Sequence, residues 1–185
     1  MINNEELITK VKSYNKFLDK NTLEKAYNFA ISAHKNQKRI SGDPYVIHPV
    51  AVANILSDLR LDSATIVTGL LHDTLEDTKA TYEVVLEEFG KEVADLVNGV
   101  TKLSALENKV TNKSRAENFR KLILATSKDI RVLLVKIADR LHNMRTIRAF
   151  DSEEKQKRIA KETMEVYAPL ADRMGMNNVR DELED

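Results

Sequence analysis

A chain of 185 residues, 42% hydrophobic and 31% charged, is long enough to bury one sizeable core, which excludes a disordered or fibrous protein and predicts one compact domain. Lysine plus arginine equals aspartate plus glutamate, at 29 each, so no overall field draws the chain onto a nucleic acid or a membrane surface. Because cysteine is absent, disulfides and thiolate metal sites are excluded, and any metal must be bound by His, Asp or Glu.

The N-terminal sequence MINNEELITK lacks the apolar core of a signal peptide. The longest apolar stretches, such as residues 64–71, are too short to span a bilayer. We therefore expect a cytoplasmic protein with no membrane and no nucleic-acid partner, while the sequence leaves the oligomeric state open.

Apolar residues recur at helical spacing along most of the chain, as at Leu23, Ala26 and Ala30. Sustained alternation of the strand type is hard to find, so the predicted fold class is all-α. Helices are expected near residues 21–36, 48–58, 62–76, 81–89, 91–101, 114–127, 129–148 and 152–174.

Residues that commonly cap helices precede these apolar runs, namely Asn21, Asp62, Thr81, Ser114 and Asp129. Gly90 and Gly175 are expected to end helices. Two loops are predicted: residues 37–45, which contain the turn sequence SGDP just before His48, and the polar segment 104–113, which lacks periodicity.

The sequence TIVTGLLHD places His72 and Asp73 at the end of an apolar helical run, where a buried carboxylate needs a cationic partner. Asp73, Glu76 and Asp77 stand at i, i+3 and i+4, so three carboxylates share one helical stripe. Their mutual repulsion indicates that a positive charge lies between them, and a metal ion would supply it.

A second acidic position, Asp139, ends the apolar run in VLLVKIADRLHNM. Helical spacing places His142, Asn143 and Thr146 on the same face as Asp139, and two acidic stripes on two helices suggest a shared cation. A single His or Asp in such a place is more often a hydrogen-bonded structural residue or a cap, so spacing alone leaves both interpretations open. We expect His34 to be a capping or helix-surface residue outside the site.

Five blocks in the chain resemble, in order and spacing, the hydrolase domain of the Rel/SpoT homologues, a branch of the HD phosphohydrolase superfamily. They are RISGDPYVIHP at 39–49, LLHDTLEDT at 70–78, GVTKL at 99–103, KIADRLHNMRT at 136–146 and YAPLADRMGM at 167–176. The resemblance implies an HD-domain helical bundle of about eight or more helices. It assigns 1–176 to the hydrolase domain and 177–185 to the start of a connection toward a synthetase domain that is absent. The chain is thus expected to be a split-gene hydrolase or an excised part of a longer bifunctional enzyme.

The metal ligands of that family are a His, a His-Asp pair and a distant Asp, which match His48, His72, Asp73 and Asp139. The resemblance implies manganese, although imidazole and carboxylate ligands also accept iron or zinc. Synthetase-only members of the family lack the His-Asp pair, so its presence here implies a competent hydrolase.

The family's Glu-Asp pair corresponds to Glu76 and Asp77, and its role is general acid/base catalysis on water activated by the ion. The implied reaction is the hydrolysis of the 3′-pyrophosphate of guanosine tetra- and pentaphosphate, (p)ppGpp. The products would be pyrophosphate with GDP or GTP, which lowers the alarmone level in the stringent response.

The resemblance also implies a substrate site. Arg39 matches the residue that stacks on guanine, a use that suits its planar cation, and Ser41 and Tyr45 lie beside it. Asn143 and Thr146 match residues near the sugar and phosphates of the nucleotide.

Two positions depart from the family pattern. Ile40 stands where a basic residue is common, which is expected to weaken phosphate contacts or alter nucleotide preference. Asp172 stands where the last block commonly has His, in the connecting segment rather than at the metal site.

Two other functions remain open on sequence alone. An HD fold could act on another nucleotide or on NADPH, because its metal chemistry is generic and the base contact rests mainly on Arg39. It could also be a non-catalytic alarmone-binding module, although the presence of Glu76 and Asp77 argues against that alternative.

Overall fold

The computed structural model describes residues 1–109, 119, 121, 123–124 and 128–185, and helices dominate this part of the chain. The helices are α1 (Asn4–Tyr14), α2 (Lys20–Ala33), α3 (Ile47–Asp58), α4 (Ser63–Leu71), α5 (Thr74–Asp77), α6 (Tyr82–Phe89), α7 (Lys91–Lys109), α8 (Ile130–Arg145), α9 (Glu153–Glu162), α10 (Ala168–Arg173) and α11 (Asn177–Glu184). A 3-10 turn, Ile147–Ala149, follows α8, and a π-helical turn, Thr163–Tyr167, joins α9 to α10. No strand occurs among these residues, which confirms the predicted all-α class.

Several helix boundaries differ from the prediction. The prediction of a loop at 104–113 is wrong over its first part, because α7 continues to Lys109; residues 110–113 lie outside the described residues. The single helix predicted at 62–76 is interrupted at His72, and α1 and α11 were not predicted. Ser114 and most of the helix predicted at 114–127 also lie outside the described residues.

Local hydrogen bonds explain where the helices begin and end. The N-cap of α2 is Asp19 rather than the predicted Asn21, because Oδ1 of Asp19 accepts a hydrogen bond from the Asn21 backbone N–H at 3.0 Å. Asp129 caps α8 as predicted. Gly90 ends α6 and Gly175 follows α10, and both have positive φ, +87° and +71°, which glycine adopts without strain.

Helices α3, α4 and α8 form the centre of the fold and pack against one another. The apolar side chains that they bury most completely include Leu56, Leu70, Leu71, Ile137 and Leu141. Gly69 allows α3 and α4 to approach closely, since a Cβ atom at this position would lie 2.6 Å from Cδ1 of Leu56 and 3.4 Å from Cα of Ala53. This packing holds the end of α4 and the start of α3 beside the middle of α8.

The C-terminal segment packs against the same core. Helix α11 buries Val179 and Leu183 and contacts α8. Arg145 donates two hydrogen bonds to Glu182, at 2.6 and 2.9 Å, which fixes α11 against the end of α8. Within the described ranges, no helix combines the length and apolar character needed to cross a bilayer.

Candidate metal centre and active site

Three segments that are distant in the sequence meet at one buried point. His48 lies in the first turn of α3, His72 and Asp73 lie where α4 meets α5, and Asp139 lies in the middle of α8. Nε2 of His48 is 2.8 Å from Oδ1 of Asp139, and Nε2 of His72 is 3.1 Å from Oδ2 of Asp73. The four side chains that were predicted to be metal ligands therefore lie close together.

The spacing of these four groups fits a divalent cation. Nε2 of His48 lies 3.7 Å from Oδ2 of Asp73, and Nε2 of His72 lies 3.7 Å from Oδ1 of Asp139. Ligand atoms about 2.1 Å from a shared ion are separated by about 3.0 to 3.4 Å in octahedral or tetrahedral geometry. Three of the groups, on His48, His72 and Asp139, offer ligand atoms that all lie within 4.8 Å of one another.

The interruption after α4 orients His72 for binding a cation. Nδ1 of His72 is 2.6 Å from the Gly69 carbonyl oxygen, which can only accept, so Nδ1 carries the hydrogen and donates it. In the neutral ring the lone pair is then on Nε2, which faces the carboxylates. Nε2 of His72 is buried and forms no well-aligned hydrogen bond among the described residues, only the 3.1 Å contact with Oδ2 of Asp73, as expected for an atom whose natural partner is an ion.

The ring of His48, the second candidate imidazole ligand, contacts another imidazole. Nδ1 of His48 is 2.7 Å from Nδ1 of His142, whose ring lies at the last turn of α8. Burial, followed by the proximity of His48 and Arg39, lowers the pKa of His142 to about 3, so its ring is neutral. The sequence placed His142 on the face of Asp139 without assigning it a role.

The electrostatics of the cluster favour bound positive charge. Burial disfavours the charged ring of His72, but the carboxylates of Asp73 and Asp139 outweigh it and raise the His72 pKa well above its ordinary value. Burial likewise disfavours ionised Asp139, yet Lys136 and the two imidazoles hold the pKa of Asp139 well below its ordinary value. A cation bound here would replace the proton that the carboxylates otherwise attract.

A buried ion network supports Asp139 from the side opposite the imidazoles. Nζ of Lys136 lies 3.0 Å from Oδ2 of Asp139 and 2.8 Å from Oε2 of Glu107, which also pairs with Arg140. The guanidinium of Arg140 lies 4.3 Å from the centre of the Tyr167 ring, so the network extends to the π-helical turn. This network was not predicted from the sequence, although Lys136 within the apolar run VLLVKIAD was a usable signal.

Glu76 and Asp77 lie on the short helix α5, next to the four candidate metal ligands and open to the adjoining cavity. Burial and the neighbouring carboxylates raise the pKa of both groups above the ordinary carboxylate value. A raised pKa suits a carboxylate that exchanges protons near neutral pH. The hydroxyl of Tyr45 lies 2.8 Å from Oδ2 of Asp73 and 3.1 Å from Oδ2 of Asp77, where it can donate to either carboxylate.

A cavity of about 360 Å³ opens over the cluster. This volume is in the range of small-molecule sites in proteins. His72 is buried beneath it, and its lining contains the ten other residues predicted from the sequence: Arg39, Ser41, Tyr45, His48, Asp73, Glu76, Asp77, Asp139, Asn143 and Thr146.

Arg39 spans the cavity from the loop before α3. Its Nη2 donates to Oγ1 of Thr146 at 3.2 Å and to Oδ1 of Asn143 at 3.4 Å. Asn143 in turn donates from Nδ2 to Oδ1 of Asp139 at 3.1 Å. The hydroxyl of Ser41 donates to Asp43 within the loop, so the loop is held by its own hydrogen bonds.

Comparison with known proteins identifies the domain. The HD domain family model matches residues 26–177. This chain belongs to the HD domain family.

Several relatives of this HD domain confirm the resemblance to the Rel/SpoT homologues. GTP pyrophosphokinase rsh of Brucella melitensis is 52% identical over the whole chain, which covers 24% of that protein. Guanosine-3′,5′-bis(diphosphate) 3′-pyrophosphohydrolase of Aquifex aeolicus and bifunctional (p)ppGpp synthase/hydrolase SpoT of Escherichia coli are 54% and 51% identical over 163 residues. The matches cover 88% of this chain and 23% of each of those two proteins. The chain therefore spans about a quarter of the length of the curated relatives it matches.

A solved structure confirms the HD-domain fold. It is described as a metazoan orthologue of SpoT that hydrolyses ppGpp and plays a role in starvation responses. The likeness has a TM-score of 0.68 and covers 88% of this chain and 92% of that one, at 24% identity.

Within the HD domain, His34 is closer to the site than predicted. It is the C-cap of α2, but it is buried rather than on the helix surface. Its ring lies 4.9 Å from that of Tyr45, and Nδ1 lies 2.7 Å from Oε1 of Gln37. His34 therefore packs against Tyr45 and lies outside the group of four candidate metal ligands.

The two departures from the family pattern lie in different parts of the HD domain. Ile40 is half exposed on the rim of the cavity, so it can affect what binds there. Asp172 lies on α10 and accepts a hydrogen bond from Nη1 of Arg180 at 2.6 Å, in the C-terminal segment.

Proposed function

We propose that this HD domain is an enzyme that hydrolyses the 3′-pyrophosphate of guanosine tetra- or pentaphosphate, releasing pyrophosphate with GDP or GTP. The main observation behind this proposal is that two imidazoles and two carboxylates, on His48, His72, Asp73 and Asp139, converge beneath a cavity of about 360 Å³. Two relatives above 50% identity are named for this hydrolysis, which supports the same substrate class.

We propose that the four residues bind manganese. The ion would supply Lewis-acid chemistry, acidifying water and neutralising charge on the phosphoryl oxygens. The orphaned Nε2 of His72 and the mixed imidazole and carboxylate donors support a divalent ion of this class.

Glu76 and Asp77 are proposed to move the protons. One carboxylate accepts a proton from the attacking water while the oxygen of that water forms a bond to the 3′-linked phosphorus. The bond between that phosphorus and the ribose 3′-oxygen then breaks, and the departing oxygen receives a proton from the pair. The raised pKa of both carboxylates supports this exchange near neutral pH.

The nucleotide is proposed to bind along the row of polar groups that Arg39 now spans. Guanine would stack on the Arg39 guanidinium, while Asn143 and Thr146 would face the sugar and phosphates. Ser41 and Tyr45 would complete the site. Binding would therefore exchange the hydrogen bonds of Arg39 to Asn143 and Thr146 for contacts with the nucleotide.

We propose that the reaction takes place in the cytoplasm. The absence of cysteine is compatible with such a reducing compartment. The reaction would lower the alarmone level in the stringent response.

The test is direct. Purified protein is incubated with ppGpp, GTP or NADPH, each with manganese, iron or zinc and with a chelator. Pyrophosphate release from ppGpp that requires the ion supports the proposal, with Asp73→Ala as the inactive control. Turnover of NADPH or GTP but not ppGpp would indicate another HD phosphohydrolase, and binding of ppGpp without turnover would indicate a non-catalytic module.

A further inference from the structure

We propose that His142 is a positioning residue for the metal centre: its Nδ1 accepts a hydrogen bond from Nδ1–H of His48 and fixes the ring and tautomer in which Nε2 of His48 faces the ion. This inference rests on the proposed function, in which His48 is a metal ligand. It concerns a side chain that the proposed function leaves without a role.

The geometry of the two rings carries the inference. Their Nδ1 atoms are 2.7 Å apart, and the ring centres are 4.9 Å apart at an interplanar angle of 32°. His48 and His142 are 3% and 9% exposed, so water does not compete freely for these nitrogens. Two imidazole nitrogens at this distance form a hydrogen bond only if one of them carries the hydrogen.

The direction of the hydrogen bond follows from the opposite edge of His48. Without an ion, Nε2 of His48 donates a hydrogen bond to Oδ1 of Asp139, at 2.8 Å, and lies 3.7 Å from Oδ2 of Asp73. When an ion replaces the hydrogen on Nε2, that nitrogen binds the cation through its lone pair, so the hydrogen of the neutral His48 ring must be on Nδ1. Nδ1 of His142 is then the acceptor, and the hydrogen of His142 is on Nε2.

The two ligand imidazoles are thus oriented by different means. His72 donates to a backbone oxygen, that of Gly69, whereas His48 donates to a side chain. Losing such a partner of a ligand imidazole typically costs about 10- to 100-fold in metal affinity. Because His142 follows Asp139 by one turn of α8, one helix supplies both a ligand and the group that orients a second ligand.

A matched pair of variants tests the role of His142. His142→Asn keeps an oxygen near the position of Nδ1 that can accept the hydrogen bond, whereas His142→Leu has nearly the same shape and no acceptor. We expect His142→Leu to weaken Mn²⁺ affinity, measured by calorimetry, by about 10- to 100-fold and to alter the visible spectrum of bound Co²⁺. His142→Asn should retain most of the affinity and the wild-type spectrum.

The outcomes separate this inference from the proposed function. Tight ion binding by both the wild type and His142→Leu, with identical Co²⁺ spectra, would overturn the role of His142 alone. Equal weakening in both variants would also overturn it, because the acceptor would then not matter. If the wild type bound no divalent ion, the metal centre of the proposed function would fail as well.

A second measurement uses the wild-type chain and needs no folded variant. In the Zn²⁺-loaded protein, the ¹⁵N chemical shifts of the imidazoles report which ring nitrogens carry hydrogen. We expect a protonated Nδ1 on His48 and an unprotonated Nδ1 on His142. The reverse pattern would overturn the inference.

Discussion

Nζ of Lys136 lies 3.0 Å from Oδ2 of Asp139, three residues further along α8. The same ammonium group lies 2.8 Å from Oε2 of Glu107 on α7 and 3.1 Å from Oγ of Ser104. Burial disfavours the charge of Lys136, but Asp139 and Glu107 outweigh it and raise the Lys136 pKa well above its ordinary value. One oxygen of Asp139 is thus held by a protein cation while the other faces the imidazoles.

Removing this cation should destabilise the fold. Lys136→Met removes the ammonium group that Asp139 and Glu107 share, although Glu107 keeps Arg140, and breaking a buried ion pair from one side typically costs about 3–5 kcal/mol of unfolding free energy. Urea denaturation of the ion-free protein measures the loss, with Lys102→Met as the control because Lys102 is exposed on α7. A loss no larger than that of the control would show that Lys136 is not needed to balance the carboxylates.

Gly69→Ala should affect both packing and the metal centre. The added Cβ would lie 2.6 Å from Cδ1 of Leu56, so this fully buried side chain between α3 and α4 must shift, which costs about 1–3 kcal/mol. Because the Gly69 carbonyl holds Nδ1 of His72, divalent-ion affinity should fall as well. Gly99→Ala is the matched control, since the three atoms nearest to its Cβ would all belong to the Val132 side chain, the first at 2.9 Å. Unchanged ion affinity in Gly69→Ala would contradict the link between this packing and His72.

Stability and ion affinity should depend on pH in opposite directions. The raised pKa of His72 means that the folded, ion-free protein binds a proton more tightly than the unfolded chain does. This contribution is fully present below about pH 6.5 and is lost as the pH rises through the folded-state pKa of His72. Because an ion must displace that proton, calorimetry should show affinity rising over the same range. Affinity that does not change above pH 6.5 would count against a protonated His72.

The acid/base pair should affect the rate rather than ion binding. Glu76→Gln and Asp77→Asn are each expected to lower kcat by about 10²- to 10⁴-fold, the usual contribution of general acid/base catalysis. Ion affinity should stay near the wild-type value.

The raised pKa values of Glu76 and Asp77 place the acid limb of the pH–rate profile above the ordinary carboxylate range near 4. Glu83→Gln, an exposed change on α6, is the control, and full activity of Glu76→Gln would remove that residue from the mechanism.

The division of the chain at residue 176 stays a prediction and can be tested through α11. Leu183→Ala should cost about 2–5 kcal/mol because its side chain is almost fully buried. Glu182→Gln, which removes a half-exposed ion pair with Arg145, should cost only about 0.2–1 kcal/mol. Thermal unfolding measures both changes. If neither variant lowers the melting temperature, 177–185 is a connection that adds nothing to the domain.

Much of the fold was predictable because helical periodicity records which side of each helix is buried. Periodicity also placed Asp139 and Asn143 on one face, and they are hydrogen-bonded. The convergence of the four proposed ligands was predictable only through family resemblance, since spacing within one helix does not reveal which other helix packs against it. No local sequence pattern, for example, connects His48 to Asp139, which are 91 positions apart.

The errors have physical causes in tertiary contacts. Segment 104–109 has no clear apolar period, yet it is helical because Leu106 packs on the core and Glu107 pairs with Lys136 and Arg140 on α8. The interruption of the predicted helix 62–76 lies where Nδ1 of His72 bonds the Gly69 carbonyl, a contact that no propensity scale contains. In both cases the deciding contact cannot be read from the intrinsic propensities of neighbouring residues.

Because His48 and Asp139 are far apart along the chain, an ion that supports catalysis would also stabilise the folded protein. An ion held by both side chains, with His72 between them in sequence, binds only when the intervening polypeptide is folded. By mass action, free ion at one hundred times its Kd adds about 2.7 kcal/mol to the unfolding free energy. Ion supply would then govern how long each molecule survives as well as how fast it works, and a chelator would shorten its lifetime before any substrate is present.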